Sequence, residues 1–176
     1  MSDTTTTNAG TDAPLVPKAN LILALIFVST IMLALNNTMA NAGLPAISSA
    51  LSATPVQSNW ILLSFMLMQA STLIFWGTVA DAVPQRTMFL IGMSIFTTAS
   101  LLAGLAPNAW VLIGLRAMQA IGTGMILSVA ATIVMASFPK SLLSKAMGVY
   151  LAGFATGQAA GPLVGGFLAT FLGWRA

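Results

Sequence analysis

The sequence predicts an all-α integral membrane protein with five transmembrane helices. Apolar residues make up 57 % of the chain and charged residues only 5 %, whereas a soluble domain carries about 25 % charged residues. The few charges are separated by apolar stretches near the roughly 20 residues that a helix needs to cross a bilayer. The lipid bilayer is therefore the first expected partner.

Composition also excludes several classes of function. The chain contains no Cys and no His, and its three acidic residues are all Asp, at positions 3, 12 and 81. The usual catalytic bases and metal ligands are thus nearly absent, and we predict no enzyme activity, no catalytic residue, no metal site and no cofactor. A net charge of +3, dispersed along the chain, is too small for a nucleic-acid surface.

The chain divides into a tail and a membrane bundle. Residues 1–19 are polar and rich in Thr, which predicts a disordered cytoplasmic tail rather than a cleavable signal peptide. Residues 20–176 form the transmembrane bundle. Its predicted spans cover residues 21–44, 60–80, 88–106, 109–136 and 146–172, and the first span is expected to end at Pro45. Short connections make consecutive spans antiparallel.

Basic residues predict the orientation in the cell (inner) membrane. A cytoplasmic N-terminus places four basic residues inside and only Arg175 outside, which satisfies the positive-inside rule. Those four are Lys18, Arg86, Lys140 and Lys145. The same orientation brings Trp60, Trp110 and Trp174 to the outer interface and leaves the C-terminus outside.

Polar residues interrupt the first two spans. Asn36, Asn37 and Asn41 lie in an otherwise apolar helix, and polar groups in hydrocarbon need partners. Two interpretations stay open for them: hydrogen bonds between helices, or the polar lining of a substrate path. Gln69 in the second span is a further candidate cavity residue.

Arg116 is the one charged residue inside a predicted span. Insertion of such a charge costs about 2.5–3.5 kcal/mol, so we expect it to face the bundle interior, where the first-span asparagines offer acceptors. Gln119, three residues later, lies on the same helix face and can share its hydrogen bonds. The alternative is that Arg116 extends toward the outer interface.

Two further groups of residues have a recognisable spacing. Gly77, Asp81 and Arg86 form a cytoplasmic turn, either as a plain polar cap or as a gating loop. Glycines recur every four residues at positions 153, 157, 161 and 165, followed by Gly166 and with Pro162 inside the run. Small residues at this spacing allow another membrane helix to approach at backbone distance.

Together these segments resemble the major facilitator superfamily, specifically the N-terminal part of fourteen-span (DHA2-like) drug:proton antiporters. Four family motifs occur in order. L-D-x-T-x-x-N-x-A-L-P is matched from Leu35 to Pro45, and G-x-L-A-D-R-x-G-R-K from Gly77 to Arg86. L-x-x-x-R-x-x-Q-G-x-G is matched from Leu112 to Gly122, and G-x-x-x-G-P-x-x-G-G from Gly157 to Gly166.

The resemblance implies multidrug or small-molecule efflux by alternating access, with a small amphipathic substrate and protons as partners. Arg116 and Gln119 would organise the polar core, the asparagines would line the cavity, and Asp81 with Arg86 would close the cytoplasmic side. The family's first-span aspartate is Asn36 here, however, and Ala82, Pro84, Gln85 and Ala120 also depart from the motifs. The coupling ion is therefore left open.

Family members have twelve or fourteen spans in repeated bundles, so we expect five spans to form a partial N-terminal bundle that is truncated before a sixth span. The remaining transporter helices are then expected partners. Two alternatives to efflux stay open: a truncated, non-transporting relic or accessory subunit, and a facilitator-type carrier of metabolites.

Overall fold

The computed structural model describes residues 18–80 and 82–171, and within them every regular element is an α-helix. The five helices are α1 (Ala19–Ala50), α2 (Pro55–Val79), α3 (Gln85–Gly104), α4 (Ala109–Ser137) and α5 (Lys140–Phe171). By length and composition, α1 to α4 are apolar enough to cross a membrane. At 32 residues, α5 is also long enough, about 48 Å, although its six glycines, Gln158 and Pro162 lower its hydropathy.

The predicted end of the first helix at Pro45 was wrong, because α1 continues through this proline to Ala50. A proline inside a helix removes one backbone hydrogen bond. The next turn is nevertheless closed by the Leu51 N–H, which donates to the Ile47 carbonyl at 3.0 Å. Ile47 is buried against Ile61 and Leu112, so packing offsets the lost bond.

Three helices begin three or more residues earlier than the sequence predicted, each at or directly after a proline. Helix α2 starts at Pro55 because Thr54 and Gln57 form a capping box. The Gln57 N–H donates to Thr54 Oγ1 at 3.3 Å, and the Thr54 N–H donates to Gln57 Oε1 at 2.8 Å. Pro84 and Pro139 immediately precede α3 and α5. Proline is well suited to helix starts, since the first N–H groups have no partner within the helix.

The helices associate in two groups. Helix α4 packs along both α2 and α3, while α1 packs along α5, and smaller contacts join α4 to α1 and α5. A buried cluster of Ile47, Ile61, Ala106 and Leu112 lies at one end of the bundle. Since these residues come from the late part of α1 and the early parts of α2 and α4, consecutive helices run antiparallel.

The opposite end of the bundle carries the basic residues. Ile26, Ala130, Val134 and Ala146 form the buried cluster there, from the early parts of α1 and α5 and the late part of α4. Lys18, Arg86 and Lys140 lie at or next to helix starts on this side, and Lys145 follows in the second turn of α5. Within the ranges 18–80 and 82–171, the two ends of the bundle therefore differ in charge.

The contact between α1 and α2 predicts a specific cross-link. Ser48 Oγ and Ser58 Oγ lie 2.7 Å apart, close to the geometry that a disulfide needs. In this Cys-free chain, Ser48→Cys combined with Ser58→Cys should form a disulfide on mild oxidation, seen as a mobility shift that reductant reverses. The matched control is Ser49→Cys with Ser58→Cys, because residue 49 is turned about 100° away on the helix. Equal cross-linking of both pairs would contradict the packing described here.

Candidate functional site

Arg116 lies inside the bundle, between three helices. Its side chain is on α4, and Nη1 donates a hydrogen bond to Asn36 Oδ1 of α1 at 3.0 Å. The guanidinium carbon lies 5.9 Å from the centre of the Phe65 ring of α2, within the range of a cation–π contact. The residue is only 8 % exposed. It therefore does not extend toward the outer interface, which was the alternative prediction.

Gln119 does not join Arg116 in a shared hydrogen-bond network, contrary to the prediction. Its Nε2 donates to Ser100 Oγ of α3 at 2.7 Å, so its amide is directed at a different helix. The side chain is 2 % exposed, and Oε1 has no hydrogen-bond partner among the described residues. Arg116 and Gln119 thus connect α4 to α1 and to α3, respectively.

Asn36 lines a cleft between α1 and α3 with a volume of about 460 Å³. Asn36, Thr97 and Ser100 are polar, and the remaining walls are mostly apolar. The cleft is large enough for a small organic molecule, since ligand pockets measure about 300–1,000 Å³. The other lining residues are Met32, Leu35, Met39, Phe96, Leu101 and Gly104. Sequence reasoning missed the contribution of α3, because Thr97 and Ser100 are common residues without a motif.

The other predicted cavity residues do not meet at this cleft. Asn37 and Gln69 are half-buried and Asn41 is exposed. Within the described residues, none of their side chains takes part in a hydrogen bond, so the predicted bonding between helices does not extend to them. A path lined by Asn37, Asn41 and Gln69 stays a prediction.

The predicted gating loop is only partly described. Asp81 lies outside the described residues, so its predicted pairing with Arg86 has no structural test. Arg86 is exposed at the start of α3, and Gly77 has open space where a side chain would be. In the ranges 18–80 and 82–171, no group of three or more His, Cys, Asp or Glu could hold a metal ion.

The glycines of α5 contact the backbone of α1. A Cβ atom added at Gly157 would lie 2.6 Å from the Ile31 carbonyl oxygen, and one at Gly165 would lie 2.7 Å from Met39 Cα. Gly153 and Gly161 also face α1, where the nearest atoms belong to the side chains of Phe27 and Thr38. Such distances leave no room for a side chain, so the four-residue spacing is required by helix contact. Gly166 and Pro162 lie off this contact: Gly166 has open space around it and Pro162 is exposed.

A threonine accompanies the glycine contact. Thr38 Oγ1 donates to the carbonyl of Ala34 on its own helix at 2.9 Å and lies 3.5 Å from that of Gly157 on α5. This arrangement is repeated between α2 and α4. There Thr72 Oγ1 bonds Met68 O at 2.6 Å and reaches Ala120 O at 3.5 Å. Because each threonine hydroxyl already donates to a carbonyl of its own helix, the residue can lie at a close contact between two helices.

Close glycine contacts also hold α4 to its two neighbours, and sequence reasoning missed them. A Cβ at Gly122 would lie 2.6 Å from the Gly92 carbonyl oxygen of α3, and one at Gly124 would lie 2.5 Å from Thr72 Oγ1 of α2. The available signal was the Gly-Thr-Gly sequence at 122–124, with glycines two residues apart. This spacing turns them toward different helices rather than onto one face.

The comparison with protein families decides what kind of protein has this arrangement. Residues 26–176 match the family described as Major Facilitator Superfamily. The chain belongs to the major facilitator superfamily. Members of this family are membrane transporters and, as a rule, not enzymes, so the chain is part of a multi-pass membrane protein.

Curated relatives include several resistance and transport proteins. The methylenomycin A resistance protein of Streptomyces coelicolor is 33 % identical over 147 residues, which are 83 % of this chain and 31 % of that protein. The riboflavin transporter RibZ of Clostridioides difficile is 29 % identical over 154 residues, which are 88 % of this chain and 34 % of that protein. The chain thus spans about a third of the length of these relatives.

A solved structure supports the fold independently. It is the crystal structure of a bacterial homologue of the human lysosomal transporter Spinster, in an inward-facing and occupied conformation. The TM-score is 0.74 at 23 % identity, over 88 % of this chain and 34 % of that chain. The five helices therefore have the arrangement of a partial major facilitator N-terminal bundle.

The α1–α5 contact makes a prediction about stability. Gly157→Ala should destabilise the protein by about 1–3 kcal/mol, because the new methyl group overlaps the α1 backbone. Gly166→Ala is the matched control, since nothing lies within 4 Å of its added Cβ. Thermal unfolding of the two purified variants checks the difference. Equal unfolding midpoints would show that α5 does not approach α1 as described.

Proposed function

We propose that this chain is the N-terminal part of a fourteen-span, DHA2-like efflux transporter. It would export small amphipathic molecules by alternating access. The observation that carries the proposal is the contact of Gly153, Gly157, Gly161 and Gly165 with α1, within a member of the major facilitator superfamily. A close, dry contact between two helices allows the bundle to move as a body during alternating access while solutes and ions do not leak between those helices.

The named relatives support export over import. Besides the methylenomycin A resistance protein, they include a cephamycin export protein of Amycolatopsis lactamdurans, 31 % identical over 159 residues. A multidrug resistance protein of Mycobacterium tuberculosis is 32 % identical over 146 residues. For this chain we propose the same direction of transport. Its other expected partners are the remaining helices of the longer transporter.

A second candidate function is a carrier of metabolites. The match to the riboflavin transporter RibZ covers 88 % of this chain, and the name of that relative points to a vitamin rather than a drug. The direction of flux separates the two candidates: an exporter lowers the cellular content of its substrate, and an importer raises it. A truncated relic or an accessory subunit would neither lower nor raise the cellular content of a substrate.

We further propose that the protein lies in the cell (inner) membrane with a cytoplasmic N-terminus, and that the C-terminal end of the chain is outside. The support is the set of basic residues at one end of the bundle, which the positive-inside rule places in the cytoplasm. Ser48 and Ser58 then face the oxidising periplasm. The disulfide between cysteines at these positions should form in cells without added oxidant. Formation only after cell lysis would contradict this orientation.

The described residues offer no carboxylate for proton coupling. Asn36 occupies the position of the family's first-span aspartate, and the ranges 18–80 and 82–171 contain neither Asp nor Glu. An amide does not titrate in the physiological range. We propose that the coupling step, whether it uses protons or another ion, lies in other helices of the whole protein.

The efflux proposal is tested by accumulation of ethidium in cells that express the whole protein. Expression should lower accumulation severalfold, and Arg116→Ala should abolish this effect because it removes the buried guanidinium and leaves Asn36 without its donor. Lys145→Ala, at an exposed position, is the matched control. Membrane levels of each variant are measured alongside. Unchanged efflux in Arg116→Ala at equal membrane level would remove Arg116 from the mechanism, whereas higher accumulation on expression would favour an importer.

A further inference from the structure

We propose that residues 40–45 form a hinge in α1. This inference rests on the proposed transport function, and it names the place where α1 bends when the protein passes between its inward-open and outward-open states. Three features of the molecule support it. Different neighbours hold α1 on the two sides of the segment, the segment combines a glycine with a proline, and close packing does not explain that glycine.

The first half of α1 is fixed to α5. The glycines of α5 at positions 153, 157, 161 and 165 come close to α1 at Phe27, Ile31, Thr38 and Met39. These contacts extend over about three turns of α1. Thr38 Oγ1 also lies 3.5 Å from the Gly157 carbonyl oxygen. We call residues 27–39 the α5-bound part of α1, because close contacts over this length keep the two helices together.

The end of α1 is fixed to α2 and α4 instead. Ile47 is buried in a cluster with Ile61 and Leu112, and Ser48 Oγ lies 2.7 Å from Ser58 Oγ. The turn between the helices is closed as well, since each backbone N–H of residues 51–54 donates a hydrogen bond of 2.8–3.3 Å. We call residues 47–58 the α1–α2 corner. Its bonded backbone makes it the second rigid part.

Gly43 and Pro45 lie between the two rigid parts. Pro45 has no N–H, so the helix lacks the hydrogen bond that residue 45 would donate to the carbonyl of Asn41. Sharp bends in helices occur mostly at prolines. A glycine in a helix interior is about 1 kcal/mol less favourable than alanine, because its backbone is freer. Together they make residues 40–45 the least rigid segment of α1.

Packing does not require the glycine at position 43. Among the described residues, the one atom within 4 Å of an added Cβ is Ile47 Cδ1 of the same helix, at 3.7 Å, which is an ordinary contact. The glycines of α5 differ, since a Cβ at Gly157 would lie 2.6 Å from the Ile31 carbonyl oxygen. Gly43 is already buried by the described helices. Its freedom to bend is therefore the property that distinguishes it from alanine.

The hinge connects the position of α5 to the buried polar bond. Helix α4 runs without a break through Leu112 and Arg116, which lie about one turn apart. On one side of the hinge, Ile47 of the corner packs against Leu112. On the other side, Asn36 of the α5-bound part accepts from Arg116 at 3.0 Å. With the corner in place, a bend between them changes the distance from Asn36 to Arg116.

The test measures ethidium transport by the whole protein in proteoliposomes. Gly43→Ala combined with Pro45→Ala should lower the maximal rate at least about fivefold, because a regular helix opposes bending. The ethidium concentration that gives half the maximal rate should not change. The thermal unfolding midpoint should rise, since alanine is the better helix former at both positions. Gly148→Ala, where nothing described lies within 4 Å of the added Cβ, is the matched control and should not slow transport.

Three results of this experiment would overturn the hinge. The first is an unchanged maximal rate in the double variant. The second is a lower unfolding midpoint, which would show that packing requires Gly43 or Pro45. The third is a slower rate that comes only from weaker ethidium binding.

Hydrogen exchange gives a readout that does not depend on transport. In the wild type, amides of residues 40–47 should exchange at least about tenfold faster than those of residues 27–39, and the double variant should remove this difference. Equal exchange in the two ranges of the wild type would overturn the hinge even if ethidium is transported. A wild type that exchanges fast at 40–47 but moves no ethidium would count against efflux and not against the hinge.

Discussion

The structure depends on keeping the charge of Arg116 away from lipid. A guanidinium in the middle of an apolar bundle needs acceptors within reach, and the side chain of Asn36 supplies one at 3.0 Å from another helix. That bond requires α1 to stay close to α4, although α1 packs mainly along α5. The glycine contact between α5 and α1 therefore also supports the Arg116 bond, because it holds in place α1, the helix that carries Asn36.

The centre of the bundle is organised around α4. Its glycines at 122 and 124 face α3 and α2, and two of its buried polar side chains, Arg116 and Gln119, face α1 and α3. Apolar side chains alone give little preference for one helix arrangement in lipid, because lipid tails are as apolar as leucine. Close glycine contacts and single polar bonds supply that preference here. The positions of the polar groups thus follow from the same residues that set the packing.

Much of this arrangement could be predicted from the sequence, and the reasons for the rest are physical. The number of helices follows from apolar length, and the α5 glycines were recognisable because four of them share one spacing. The continuation of α1 through Pro45 was not predictable from local rules, since it depends on the burial of Ile47 between α2 and α4. The start of α2 was missed although Thr54, Pro55 and Gln57 form a known capping signature.

The polar site, too, could be predicted only in part from the sequence. Burial of Arg116 followed from the cost of a charge in hydrocarbon, and Asn36 was among the acceptors that α1 could offer. The partner of Gln119 could not be read from spacing, because a residue on the same face as Arg116 is directed at α3 instead. Which neighbour each side chain meets depends on how the helices pack, and the apolar pattern of a membrane helix does not encode this.

A double-mutant cycle on Asn36 and Arg116 in the purified whole protein tests the central claim most directly. The variants are Asn36→Ala, Arg116→Leu and their combination, compared by their free energies of unfolding in SDS. If the two side chains bond as described, the losses should be non-additive, with a coupling of about 1 kcal/mol. Losses that add within about 0.3 kcal/mol would show that Arg116 does not depend on Asn36. That result would contradict the account.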